Sequence, residues 1–112
     1  MKPETRGNLL RLIGVVRSEC LRIDMVCGER PRFGDEGYSF DASDAWWKQR
    51  NQEVGISKHQ LAQLGARFTH RAPDGHAIQL AGIRSSSTSG FIGAFQNWIR
   101  AAEKRLEKEA GR

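Results

Sequence analysis

A chain of 112 residues and 12.6 kDa has room for one compact domain, and its 38% hydrophobic and 28% charged residues supply both a core and a solvated surface. No apolar run approaches the ~20 residues of a membrane-spanning helix, and the first residues lack the apolar centre of a signal peptide. A cytoplasmic protein with no membrane partner is therefore expected, its two cysteines, Cys20 and Cys27, free thiols rather than a disulfide scaffold. The formal charge of +5 suits a nucleic acid or an acidic protein surface as partner.

In chain order, residues 1–6 form a polar lead expected to fray, after which Thr5 or Asn8 can cap a helix. Leu9, Ile13, Val16, Cys20, Ile23 and Cys27 recur at steps of four and three, which places them on one helical face. Gly28 and Pro31 supply the stop. The competing reading is a strand at Leu21, Ile23 and Met25, which alternate with Arg22 and Asp24; the long helix is favoured.

Residues 29–38, with Pro31, Gly34 and Gly37 among charges, read as an exposed loop. Caps at 39–44 lead into a short helix carrying Trp46 and Trp47, which Gly55 is expected to end. Ser57 followed by Gln60 resembles a capping box opening a second short helix, with Leu61 and Leu64 as its apolar face.

Residues 66–70 and 76–83 flank Pro73-Asp74-Gly75, a turn sequence, and predict a two-stranded hairpin. The serine and threonine run at 85–90 reads as a capping linker. Phe91, Phe95, Trp98, Ala102 and Leu106 then give the clearest amphipathic helix in the chain, with residues 108–112 expected to fray. The predicted architecture is α+β and mostly helical: one domain over 1–112, long N- and C-terminal helices, a central short helix pair and one two-stranded hairpin.

Catalytic chemistry is weakly represented. The three histidines and scattered serines form no nucleophile elbow, glycine-rich nucleotide loop or metal-binding helix motif, so a non-enzymatic protein without cofactor or metal is expected. Cysteines seven residues apart on an apolar face suit packing better than coordination.

Binding features are stronger. Residues 54–57 between two helices would serve as the turn of a helix-turn-helix, presenting Lys58, His59 and Gln60 to base edges. Arg50 and Asn51 fit poorly where the first helix needs packed residues. The hairpin would form a wing, with Arg67, Arg71 and His76 reaching phosphate, and Arg84 adding charge beside the serine run. Basic residues outnumber acidic ones 3 to 1 over 66–99, against 7 to 6 over 1–37. Consecutive tryptophans point about 100° apart on a helix, so one of Trp46 and Trp47 can stay exposed beside Lys48 and Arg50 as a stacking platform or interface anchor. The leading expectation is a small DNA-binding regulator or accessory protein. The alternative is a non-enzymatic inhibitor or adaptor that binds an acidic surface of a larger complex.

Overall fold

The computed structural model describes residues 1–71 and 75–110, with Arg71 and Ala110 described in the backbone alone. The predicted Pro73-Asp74 turn lies outside the described residues. Three helices and one sheet follow in the order α1 (Pro3–Cys27), α2 (Phe40–Ala62), β1 (Arg67–Arg71), β2 (Gly75–Leu80), β3 (Ile83–Ser87) and α3 (Phe91–Ala110). No helix among the described residues is long and apolar enough to cross a membrane.

The apolar spacing of α1 works as its periodicity requires: Leu9, Ile13, Val16, Cys20 and Ile23 are buried, joined by Leu12, while Cys27 is only half-buried. Residues 21–25 are helical, which removes the strand alternative. The helix starts at Pro3, where a proline's missing N–H costs nothing, so Thr5 and Asn8 lie inside it rather than at its cap. It ends at Gly28, whose φ of 66° favours glycine and whose N–H donates to the Asp24 carbonyl.

The expected central helix pair is one continuous helix. Ser39 caps α2 by accepting from the Ala42 N–H at 3.0 Å, and the helix then runs through Gly55 without a turn. A glycine in a helix interior costs only about 0.8–1 kcal/mol relative to alanine, less than a favourable contact set can return. Arg22 of α1 supplies that set by binding residues on both sides of Gly55. Its guanidinium pairs with the Glu53 carboxylate, donates to the Glu53 carbonyl at 3.1 Å, and donates to the Ser57 hydroxyl at 2.9 Å. Ser57, fully buried, donates a hydrogen bond from its hydroxyl to the Glu19 carboxylate at 2.7 Å rather than capping a new helix. Without an interruption at 54–57, the helix-turn-helix reading loses its turn.

The expected two-stranded hairpin is likewise corrected to a three-stranded antiparallel sheet of order β1-β2-β3. The serine run forms β3 instead of a linker. Ala81 (φ 55°) and Gly82 (φ 76°) make the tight connection between β2 and β3, both with the positive φ that matches strand twist. Ile83 is drawn into the core, and the serines behind it are carried along in register opposite β2.

One apolar core joins the layers. α3 lies between α1 and the sheet, and α2 packs on α1. Phe95 and Trp98 of α3 are fully buried, each burial of this size worth roughly 1.5–3 kcal/mol. Two side chains of α3 also hold sheet carbonyls: Trp98 Nε1 donates to Leu80 at 3.1 Å, and Asn97 Nδ2 to Ser86 at 2.9 Å.

Candidate functional site

Strand pairing assembles what the sequence leaves scattered. Arg67 pairs with Gln79, and Gln79 with Arg84, so three residues from three strands form a single row across the sheet. Strand alternation separates this row from Phe68, Ile78 and Ile83, which turn inward to the core. Arg67, Gln79 and Arg84 are all exposed. The next row on the same face is Thr69, Ala77 and Ser86, small and uncharged. No residue of the three strands is acidic. With strands about 4.8 Å apart, the two arginine backbones stand roughly 10 Å from one another with the glutamine amide between them.

Arg71 pairs with Gly75 at the far end of β1, and its side chain lies outside the described residues. Gly75 is fixed there by close approach: a Cβ would stand 2.7 Å from the Ser87 carbonyl oxygen.

Lys58, His59, Gln60 and His76 are not part of the row. The Lys58 ammonium lies over the Phe91 ring at 4.1 Å and near Phe68 at 5.6 Å, on the core side of the sheet. His59 contacts the Gln63 amide at 3.2 Å, and Gln60 is exposed. Residues two apart on a helix point about 200° apart, so Lys58 and Gln60 cannot address one base pair together. His76 stacks on His70 with ring centres 4.0 Å apart and meets Phe91 edge-on at 4.6 Å. Its Nδ1 is buried and, among the described residues, has no hydrogen-bond partner of normal geometry. Burial first, and then the charges of His70 and Lys58, hold His76 below its ordinary value of 6.5, with the Ser87 backbone pulling weakly the other way.

A second constellation surrounds the tryptophans. Trp46 and Trp47 meet edge to face at 4.9 Å, and Trp46 Nε1 donates to the Gly28 carbonyl at 3.2 Å. Arg50 lies over the Trp46 ring at 5.0 Å and Arg30 over Trp47 at 4.9 Å. Lys48, the other basic neighbour in sequence, turns instead to Asp44 at 3.0 Å. The tryptophan pair and Arg50 were visible in the sequence; Gln79 and Arg30 were not, because only strand register and the path of the loop bring them into place.

Neither cysteine is a poised nucleophile. Burial, reinforced by Asp24 and Glu19, pushes the Cys20 thiol up to about 11, and burial also raises Cys27. Among the described residues, no three histidine, cysteine or acidic side chains gather as metal ligands. Comparison with known protein families, curated proteins and solved structures finds no match for this chain.

Proposed function

We propose that the chain is a small DNA-binding accessory or regulatory protein that reads the duplex with the outer face of its sheet. The observation that carries this is the Arg67–Gln79–Arg84 row. Antiparallel strands are an established means of entering a DNA groove, and a glutamine amide matches the donor and acceptor pair on an adenine edge. In this reading Gln79 approaches a base while Arg67 and Arg84, one strand away on either side, hold phosphates. Charge supports it as well: residues 54–102 carry five lysines and arginines against one acid, so the half of the chain containing the sheet holds an electropositive excess. α3 braces the sheet from behind, which presents the row on a rigid element.

Binding to generic duplex DNA, measured over a series of salt concentrations, tests the proposal. Replacing Arg67 and Arg84 together with alanine should weaken binding to every sequence and flatten the logarithmic salt dependence by about 0.9 per lost phosphate contact. Gln79→Ala should change the preference among sequences instead. A double variant that binds as well as the parent, or a parent that ignores duplex DNA at low salt, would remove this reading. The latter outcome would favour an inhibitor or adaptor directed at an acidic protein surface.

A further inference from the structure

The tryptophan constellation encloses a cleft of about 320 Å³ between the first half of α2, the segment after α1 and the start of α3. Its size lies at the lower end of ordinary small-ligand sites. Arg30, Trp46, Trp47 and Arg50 line one side, and His76 of β2 contributes to the lining together with Ser89 and Phe91. Among the described residues, no acidic side chain lines it. The composition is thus aromatic and cationic together.

That combination discriminates between ligands. A quaternary or methylated amine, the usual guest of an aromatic cage, would meet two guanidinium groups already seated on the tryptophan faces. A purely apolar guest would bury the arginines without compensating their charge. A flat ring carrying a negative group satisfies both features, because it stacks on indole or guanidinium planes while its anion meets the arginines. Arg50 is partly answered by Asp24 at 3.6 Å, whereas among the described residues no carboxylate pairs with Arg30. Trp47, 41% exposed, keeps ring surface available for stacking.

We propose that this cleft binds a single unpaired nucleotide, its base stacked against Trp47 and its phosphate held by Arg30 with Arg50. The site shares no residue with the sheet row, so it stands or falls separately from duplex binding. The same chemistry is offered by a free mononucleotide and by a nucleotide within a single strand. Trp46, anchored by its bond to Gly28, is a positioning residue that fixes the angle of its neighbour.

Calorimetric titration with thymidine monophosphate, with a short single-stranded oligothymidine, and with inorganic phosphate and thymidine as controls tests the assignment. Quenching of tryptophan fluorescence serves as a second readout for the parent. Trp98 is fully buried and gives a constant background. Trp47→Ala should weaken nucleotide binding about tenfold or more, within the range found for loss of one stacking partner. Arg30→Ala should weaken the phosphorylated ligands and leave thymidine unaffected. Both residues are exposed, and an unchanged melting temperature confirms that their loss does not unfold the chain. The Arg67 and Arg84 double variant should bind nucleotide as the parent does. Equal affinity per site for monophosphate and oligomer identifies a free nucleotide as sufficient, and binding of the oligomer alone identifies a single strand; either supports the proposal. Absence of binding by both, phosphate binding as tightly as the nucleotide, or an unaltered affinity in Trp47→Ala would overturn it.

Discussion

Replacing Gly55 with alanine distinguishes a continuous α2 from a pair of helices by the sign of the effect. Gly55 is exposed inside the helix, and a Cβ built on it meets nothing within 4 Å. Alanine then adds no clash and reduces the freedom of the unfolded chain, so the expected gain is the helix-interior difference of about 0.8–1 kcal/mol. For a chain of this size that is a rise of about 3–5 °C in melting temperature, measurable by circular dichroism or calorimetry. If residues 54–57 instead formed a turn needing a positive φ at Gly55, alanine would be strained and the melting temperature would fall. A decrease would therefore refute the continuous helix and the Arg22 contacts built across it. Denaturant unfolding should move the midpoint while leaving the slope unchanged, because the substitution alters neither the buried area nor the contacts.

Two further perturbations examine the polar interior. Ser57→Ala removes the hydroxyl that accepts from Arg22 and donates to Glu19, leaving both charged partners one bond short. The cost should be about 2 kcal/mol in urea unfolding, and a variant as stable as the parent would show that water replaces the hydroxyl. His76 is held below 6.5 in the folded state, so as pH falls through 6.5 the unfolded chain takes up the proton first and stability declines. His76→Gln should flatten the decline in melting temperature between about pH 7.5 and 5.5, and an identical pH profile in that variant would contradict the assignment.

The parts legible in the sequence are those where one apolar face decides the structure. Phe95, Trp98, Ala102 and Leu106 could be placed on the core side of α3 from spacing alone, and they are buried there. The same holds for Leu9 to Ile23 in α1. In α2 the signal fails because its contact with α1 is largely polar: only Ser57 and Leu61 are buried in 23 residues, so no apolar stripe spans Gly55. The sequence shows a serine and a glycine, both good punctuation. It does not show that Arg22, 35 residues earlier than Ser57, joins them into one helix. β3 was hidden for a related reason, since hydroxyl residues fit caps as well as strands and the Ala81-Gly82 turn places an alanine at a positive φ. The sheet row illustrates the same limit in the candidate site. Arg67 and Arg84 were evident as charges, yet their common partner Gln79 is defined only by register.

The sparse anchoring of α2 also bears on how the molecule breathes. Its buried residues lie toward the C-terminal end, and residues 40–52 contain none, whereas α1 and α3 are fastened along much of their lengths. Local opening costs least where few apolar contacts must be broken, so the amides of 40–52 should exchange with solvent ahead of those in the core helices. Trp46 and Trp47 ride on that segment, facing the start of α3 across the cleft. A guest held between them would tie the least secured stretch of the chain to one of the most secured. Its binding energy would then appear as slower hydrogen exchange in residues 40–52, coupling occupancy to local order without moving a domain.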